Sequence, residues 1–222
     1  MAGRGTAKTR RWTETFERIP EDKRRRVLSA AKTAFARNGF AGTNVNLVAR
    51  EAGISVGSLY QYFRTKEDIF LALIEGSHKY LSDTIDGIFA REEGFLARVE
   101  ALLRMAVDTS MEDPALLNLY IACTTEELAP LAGKLSGRIE SVAAGRYRKM
   151  LSEAKERGEL RDDVEETTAA FCLDNLFMIV QFSFGSAYYR ERLSLFLGKR
   201  AASDPQRVIR GTLDFIRGAL MK

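Results

Sequence analysis

The sequence predicts an all-α protein of about nine helices. Apolar residues recur at three- and four-residue spacing over most of the chain, helix-capping residues and glycines bound these periodic segments, and no alternating strand pattern is found. Only 4 of the 222 residues are Pro and 29% are charged, which is typical of a helix-rich soluble protein. We expect a small amino-terminal helical domain and a larger carboxy-terminal one.

The first predicted helix covers residues 20–38. Pro20 suits a first-turn position, and the carboxylates of Glu21 and Asp22 complement the positive end of the helix. Gly39 predicts the end, because glycine readily takes a positive φ. The apolar face is predicted to consist of Val27, Leu28, Ala31, Ala34 and Phe35.

Two shorter helices are predicted at 45–52 and 56–62. Asn44 and Ser55 are good N-caps, and Gly53 ends the first of the two helices. The connecting turn is short, as a helix-turn-helix requires. The second helix is therefore predicted to enter a DNA major groove.

Six longer helices follow in the remaining chain. Their predicted ranges are 66–90, 94–111, 114–122, 125–157, 164–189 and 204–220. Residues 190–202 are compatible with a short helix or a packed loop. The starts rest on capping signals, namely Thr65 to Asp68, Asp113-Pro114, Thr124-x-x-Glu127, Asp163-x-x-Glu166 and Ser203-x-x-Gln206.

The net charge of +4 hides an asymmetry. Residues 1–66 contain 14 Lys and Arg against 5 Asp and Glu, whereas residues 67–222 contain 20 against 25. A positive first third favours a nucleic-acid partner. The alternative is a basic terminus that is merely solvated.

Other classes of protein are disfavoured by the sequence. The amino terminus has no signal-peptide h-region, so we expect a cytoplasmic protein, and the uncharged run 175–189 is too short to span a bilayer. Cys123 and Cys172 are predicted to be reduced and buried, with a thiol sensor as the alternative. With His78 as the single histidine, no Cys/His zinc site is available. We expect no enzyme, cofactor or metal site, because no phosphate loop or catalytic set is found.

The run NVNLVAREAGISVGSLYQYFRTKED, residues 44–68, closely resembles the DNA-binding domain of the TetR family of transcriptional regulators. The resemblance covers about residues 20–70. It implies a homodimer that binds double-stranded DNA, with 56–62 as recognition helix. The implied regions are a basic flexible arm at 1–19, a helix-turn-helix DNA-binding domain at 20–66, and an effector-binding and dimerisation domain at 67–222. In the family, the eighth and ninth helices, here 164–189 and 204–220, pair with their symmetry mates.

The resemblance and the side-chain chemistry together predict the DNA contacts. The amide of Gln61 can pair bidentately with adenine, and Gly57 lets the backbone approach closely. Tyr60 and Tyr62 offer a hydroxyl for phosphate and a ring for a thymine methyl, with core packing as the alternative for Tyr62. Lys66 favours a phosphate at a helix start. The full predicted set is Arg10, Arg11, Thr43, Asn44, Asn46, Ser55, Val56, Gly57, Ser58, Tyr60, Gln61, Tyr62 and Lys66.

Two of these assignments have alternatives. Arg10 and Arg11 are predicted to reach phosphates or a minor groove, or to lie in a tail without function. Many family members carry a charged residue where this chain has Asn46, so its amide is predicted to read a base or to be solvated.

An effector pocket is expected among the helices from 66 to 189. Its predicted residues are Tyr120, Phe171, Asn175, Met178 and Phe182, with plain core packing as the alternative for each. Such walls suit a largely apolar small molecule. Glu126 and Glu127 would select a cationic ligand, unless they are only solvated or capping residues.

The leading functional hypothesis is a homodimeric repressor that a small-molecule effector releases from a palindromic operator. A transcriptional activator, or an architectural DNA-binding protein of the same fold without a ligand, is the alternative. A small-molecule binder with a vestigial head is a third hypothesis. The basic amino-terminal segment and the run Gly57-Ser58-x-Tyr60 argue against it.

Overall fold

The computed structural model of the chain describes residues 11–123 and 128–222, and from 129 to 142 it describes the backbone and the side chain of Leu131. These residues form twelve helices, and their one β feature is an isolated bridge between Leu160 and Met221. The all-α prediction is confirmed. The helices are α1 Glu14–Arg18, α2 Glu21–Gly42, α3 Val45–Glu51, α4 Val56–Tyr62, α5 Lys66–Arg91, α6 Phe95–Glu112, α7 Pro114–Ala122, α8 Ala129–Glu156, α9 Glu166–Gly185, α10 Ala187–Leu197, α11 Lys199–Ala202 and α12 Pro205–Leu220.

The helix-turn-helix forms where the capping pattern predicts it. The side chain of Asn44 accepts from the Asn46 N–H, and that of Ser55 accepts from the Ser58 N–H. Gly53 has a φ of 69° in the turn between α3 and α4, and Gly39 has a φ of 68°, which interrupts the helical geometry near the end of α2. Side chains with a Cβ rarely adopt this conformation, so both glycines are needed where they stand.

The amino-terminal core is built from α1 to α4 and the first half of α5. Its largest fully buried side chains include Phe35, Leu59, Phe63 and Phe70. The core extends beyond the DNA-binding segment, because Leu119 of α7 is buried in the same cluster. The carboxy-terminal core lies among α5, α6, α8, α9 and α12.

The prediction of a flexible arm over 1–19 is wrong for its second half. Residues 1–10 lie outside the described residues, but Phe16 of α1 is 3% exposed and its ring lies 4.7 Å from that of Phe63, centroid to centroid. Trp12 and Phe16 pack edge to face. Two aromatic side chains therefore dock this segment onto the amino-terminal core.

Several predicted helix starts shift by one or two residues. Thr65 and Asp113 cap α5 and α7 as predicted. At α9 the cap is Glu165, which accepts from the N–H groups of Thr167 and Thr168, and at α12 it is Asp204. In both cases an acidic side chain one or two residues later replaces the expected N-cap. The predicted box Thr124-x-x-Glu127 lies outside the described residues.

The helix predicted over 164–189 is interrupted. Ser186 has extended backbone angles, with φ −116° and ψ 135°, and it separates α9 from α10. Gly185, at the end of α9, packs against α7 so closely that an added Cβ would lie 2.1 Å from Leu117 Cδ2 and 3.2 Å from the Ser110 carbonyl oxygen. The ambiguous stretch 190–202 forms most of α10 and all of α11.

One helix of the described chain, Glu166–Gly185, is long and apolar enough to cross a membrane by those two criteria alone. Half of its apolar window is buried inside the protein. A core helix of a soluble protein passes the same test, so this helix is weak evidence for a membrane span.

Gly185→Ala tests the close packing of α9 on α7. The added methyl group overpacks Leu117, and we expect unfolding in urea to show a loss of about 1–2 kcal/mol of stability. Gly145→Ala in α8 is the matched control, because no atom lies within 4 Å of an added Cβ there. It should stabilise the protein by up to about 1 kcal/mol. Equal stability of the two variants would contradict the packing argument.

Candidate nucleic-acid interface and effector cavity

The helix α4 presents a polar, uncharged surface to solvent. Tyr60 is 51% exposed, and Gly57 and Gln61 are also exposed. Leu59 is fully buried and anchors the opposite side of the helix. A short helix held in this way can enter a groove while its base-reading side chains remain free.

Hydroxyl and amide groups surround the start of α4. The Oγ atoms of Ser55 and Ser58 lie 2.8 Å apart, and Val56 between them is half-buried. Asn44 and Asn46 are exposed at the start of α3, although the Asn44 Oδ1 is already engaged by the Asn46 N–H at 2.8 Å. Eight predicted contact residues of α3, α4 and their caps are thus at least partly accessible, with the contact to DNA itself a prediction.

Two predicted DNA contacts are corrected by their burial. Thr43 is 4% exposed, and its hydroxyl lies within hydrogen-bonding distance of the carbonyl oxygens of Ala34 and Gly39, both inside the fold. Tyr62 is 4% exposed, with its ring packed on Phe16 at 5.5 Å. The Thr43 hydroxyl and the Tyr62 ring therefore hold the domain together rather than meeting bases.

Lys66 has a structural role in addition to its predicted contact. Its ammonium donates to the carbonyl oxygens of Ala41 at 3.1 Å and Thr43 at 3.3 Å, and lies 4.7 Å from the centre of the Phe40 ring. It thereby ties the end of α2 to the start of α5. An ammonium has three N–H donors, so one remains for a phosphate oxygen.

The segment before α1 is bonded to the end of α4. The Thr13 hydroxyl donates to the Gln61 carbonyl at 2.6 Å, and the Thr13 N–H donates to the Tyr62 carbonyl at 3.0 Å. These carbonyls belong to the last turn of α4, where no intrahelical donor is available. Arg11 forms an ion pair with Glu75 of α5 at 3.2 Å, so its predicted DNA contact is not what this structure shows. Arg10 lies outside the described residues.

A cavity of about 530 Å³ lies among α5, α6, α7, α8 and α9. Its described walls are mainly apolar, and a few polar side chains interrupt them. This size and composition are typical of small-molecule sites. The apolar part includes Ile74, Leu81, Ile85, Leu102, Met105, Leu116, Leu117, Tyr147 and Phe177, and the polar part includes Ser77, His78, Thr109, Asp174 and Gln181.

Two of the five predicted pocket residues line this cavity, Tyr120 and Met178. Phe171 is wrong, because it is 68% exposed on the outer side of α9. Asn175 also faces away from the cavity lining, and its amide donates to the Phe171 carbonyl at 2.7 Å. Phe182 is buried outside the lining, between Tyr120 and the ring of Tyr189. The predictions for Glu126 and Glu127 lie outside the described residues.

The sequence reasoning missed a charged cluster beside the cavity. The guanidinium of Arg146 donates to both carboxylate oxygens of Asp86, at 2.7 and 2.6 Å, and to the Ser82 hydroxyl at 2.7 Å. These bonds hold the pKa of Asp86 below its usual range. The three residues stand on two different helices, so only the packing of α5 on α8 brings them together.

His78 also lines the cavity, a position that no sequence pattern predicts. Cys123, which is half-buried, has its pKa raised to about 11 by burial. Its thiol is therefore protonated and unreactive near neutral pH. The prediction that Cys172 is buried is wrong, because it is exposed on α9.

The helix α7 connects the two functional regions. Leu117 and Tyr120 line the cavity, whereas Leu119 is buried in the amino-terminal core. Asp113 caps α7, lines the cavity and forms an ion pair with Lys32 of α2. The nine-residue helix α7 therefore links the wall of the cavity to the core that supports the DNA-binding helices.

The geometry defines a class: an all-α helix-turn-helix protein with a partly open, mainly apolar cavity in its carboxy-terminal helices. Residues 27–73 match the family of bacterial regulatory proteins described as the tetR family. Residues 27–73 of this chain are therefore similar to the DNA-binding domain of that family.

Curated relatives match over part of their length. The HTH-type transcriptional regulator HbdR of Aromatoleum sp. (strain CIB) is 38% identical over 90 residues, which are 40% of this chain and 37% of HbdR. The HTH-type transcriptional regulator RutR of Escherichia coli (strain K12) is 27% identical over 140 residues, 62% of this chain and 63% of RutR. The chain thus spans about a third to two thirds of these relatives. They are named as transcriptional regulators, not enzymes.

Solved structures share the fold over most of the chain. A TetR family regulator from Chloroflexus aurantiacus J-10-FL has a TM-score of 0.63 at 23% identity and covers 95% of this chain and 99% of its own. FadR from Bacillus subtilis, solved in complex with stearoyl-CoA, has a TM-score of 0.70 at 16% identity and covers 86% and 96%. At these identities the likeness establishes the fold.

Thr13→Val tests whether the amino-terminal segment steadies α4. The variant keeps its N–H bond but loses the hydroxyl bond to Gln61, and we expect about 0.5–1 kcal/mol less stability. Hydrogen exchange should be faster in the last turn of α4. Thr84→Val is the control, because the Thr84 hydroxyl bonds within α5 to Tyr80. Unchanged exchange in α4 would show that Thr13 does not steady it.

Proposed function

We propose that this protein is a cytoplasmic, homodimeric transcriptional repressor that a largely apolar small molecule releases from a palindromic DNA operator. The main support for this proposal is the position of α7, which contributes residues both to the wall of the cavity and to the core that supports α4. The proposal assigns the DNA-binding role to residues 20–66, with support from α1, and the effector and dimer roles to residues 67–222.

The DNA-binding part of the proposal rests on charge and exposure. Residues 1–66 carry a net charge of +9, which favours association with phosphates. Within that field α4 exposes Gln61 and Tyr60, and the side-chain amide of Gln61 fits adenine. Two recognition helices related by two-fold symmetry would read half-sites about one helical turn apart.

The effector class is inferred from the cavity walls. Met105, Met178 and Phe177 supply adaptable apolar contacts, and polar atoms such as those of Gln181 and His78 would fix the orientation of a ligand. Among the described lining residues, Arg146 already forms an ion pair with Asp86, so its positive charge is not free to bind an anionic ligand. A long-chain acyl compound is a suitable first candidate, since the related FadR structure holds stearoyl-CoA.

Coupling between the sites follows from the position of α7. A ligand that displaces Leu117 or Tyr120 pushes on the same helix that Leu119 anchors in the amino-terminal core. The ion pair between Lys32 and Asp113 would move with it. The ligand shifts the protein away from its DNA-bound form only to the extent that it binds the displaced form more tightly.

The homodimer is proposed to form through α9 and α12. On α9, Phe171 and Ile179 are exposed, and on α12 Phe215 is exposed. Gly211 and Gly218 lie near Phe215 on α12, with open space around both. Small residues beside an exposed aromatic ring allow two helices to approach closely.

An activator or an architectural protein of the same fold without a ligand is the second candidate. A solid core between α5 and α9 would favour it. The cavity lies at that position and therefore supports the ligand-responsive proposal instead.

Fluorescence-polarisation binding to the intergenic DNA beside the gene tests the proposal. Tyr60→Ala and Gln61→Ala should each weaken operator binding about 10- to 100-fold, because base contacts are lost. Gly57→Ala should also weaken it, although its Cβ lies 3.9 Å from the nearest neighbour and fits the free protein. Wild-type affinity should fall about 1,000-fold between 50 and 200 mM salt.

Tyr80→Ala is the control for Tyr60→Ala in the absence of ligand, because Tyr80 is also an exposed tyrosine but stands on α5, where it lines the cavity. It should leave DNA affinity unchanged. Equal affinity for scrambled DNA, or full affinity of the Tyr60 variant, would reject sequence-specific regulation through α4.

A cavity-filling substitution tests the effector site. Wild-type protein should gain about 2.7 kcal/mol of stability at a ligand concentration 100-fold above Kd, measured as a thermal shift with acyl-CoA of increasing chain length. Met178→Trp should abolish this shift and the release of DNA, while DNA affinity persists. Met111→Trp, at an exposed position of α6, should behave as wild type. A shift that survives in the Met178 variant would place the ligand elsewhere.

A further inference from the structure

The helix α10 has no buried residue in the chain, although much of its surface is apolar. Tyr189 and Leu193 form its inner side: Tyr189 packs 5.2 Å from Phe182 of α9, and Leu193 is half-buried against the carboxy-terminal core. Tyr188, Leu195 and Phe196 are 73%, 78% and 76% exposed. The helix therefore has a second apolar side that is largely exposed in the described part of the chain.

The exposed residues form a single stripe. Tyr188, Leu195 and Phe196 stand at positions i, i+7 and i+8, which fall on one side of an α-helix. Arg192, at i+4 in the same stripe, lies 5.3 Å above the Phe196 ring and covers part of it. Glu191, one turn before Leu195, borders the stripe, whereas Ala187 points away from its middle; both are exposed.

This stripe lies beside the surface that α9 contributes to the proposed dimer. Phe171, Asn175 and Phe182 of α9 stand at positions i, i+4 and i+11, and so share one side of that helix. Tyr189 of α10 covers Phe182, whereas Phe171 remains exposed. The helix α10 thus continues the exposed side of α9 rather than pointing to a separate part of the molecule.

The apolar area shows why α9 and α12 need a further element. A stable homodimer buries about 800 Å² per partner, about two thirds of it apolar, or roughly 500 Å². Phe171, Ile179 and Phe215 are the exposed large side chains of α9 and α12, and their exposed fractions correspond to roughly 350 Å² of apolar surface. Tyr188, Leu195 and Phe196 add roughly 400 Å² at the same scale. The apolar surface of α9 and α12 alone falls short of the roughly 500 Å² that a stable homodimer buries, whereas the addition of α10 brings the total above it.

We propose that α10 packs on a second copy of this chain and is a third element of the homodimer, with Tyr188, Leu195 and Phe196 as its contact stripe. The inference rests on the proposed homodimer through α9 and α12. It adds that a helix over the sequence-ambiguous stretch 190–202 supplies roughly half of the apolar contact area, and that each α10 is incompletely covered until the partner is present.

The double variant Leu195→Glu with Phe196→Glu tests the stripe, and sedimentation equilibrium gives the dimer dissociation constant. We expect that constant to rise about 100-fold or more, because two large apolar contacts per chain are lost and carboxylates enter the interface. Far-UV circular dichroism should be unchanged, because neither side chain is buried in the chain. Ala187→Glu is the matched control: it adds a carboxylate on α10 that points away from the middle of the stripe and should leave the constant unchanged.

Phe215→Glu on α12 separates this inference from the proposed dimer. Dissociation by both the α12 and the α10 variants supports a three-helix interface. Dissociation by the α12 variant alone overturns the role of α10 and leaves the homodimer standing. If neither variant dissociates, or if the wild type is a monomer, both proposals fail. Binding of wild type, but not of the α10 variant, to anionic phospholipid vesicles with no change in the dimer would assign the stripe to a membrane surface and overturn the inference.

Discussion

The packing of α7 between two hydrophobic regions is the constraint on which the rest of the structure depends. Leu119 is buried on the amino-terminal side, whereas Leu117 is buried against Gly185 on the carboxy-terminal side. Because protein interiors are close-packed, a helix fixed on both sides cannot move relative to one without disturbing the other. The turn before α7 adds an electrostatic link, since Asp113 caps the helix and pairs with Lys32. A displacement of this part of the cavity wall therefore also displaces residues of the core that supports the helix-turn-helix.

The parts of the fold that local chemistry determines could be predicted from the sequence. Asn44, Ser55 and Thr65 cap the helices that they precede, because their side-chain oxygens reach N–H groups two or three residues away. Gly53 is needed for the positive φ of the turn. These interactions involve neighbours in the sequence, so the type and order of the helices follow from the pattern without knowledge of the tertiary structure. The exposed positions of α4 can be predicted in the same way, because Leu59 marks the side of the helix that faces the core.

The site residues that were misplaced depend on contacts between distant segments. Tyr62 is buried because Phe16, 46 positions earlier, folds back onto it. The ion pair between Arg11 and Glu75 also forms because the amino-terminal segment folds back onto the domain. The stretch predicted as one helix over 164–189 carries apolar residues on nearly all sides, and such a helix gives no sign of which side faces a cavity. Its division at Ser186 then placed Tyr189 over Phe182, which removed that residue from the cavity lining.

The three sides of α9 explain why a single helix can join ligand binding to assembly. Phe177 and Met178 line the cavity, and Leu173 and Val180 belong to the core. Phe171 and Ile179 face outward, where the proposed partner would lie. Apolar residues predominate on each side of the helix, and in the described part of the chain no buried side-chain nitrogen or oxygen lacks a hydrogen-bond partner. A rigid helix transmits displacement along its whole length, so a ligand that moves the inner side of α9 also moves the outer side. In the proposed two-fold dimer that displacement would be doubled between the protomers, and the separation of the two α4 helices would then depend on the cavity through α9 as well as through α7.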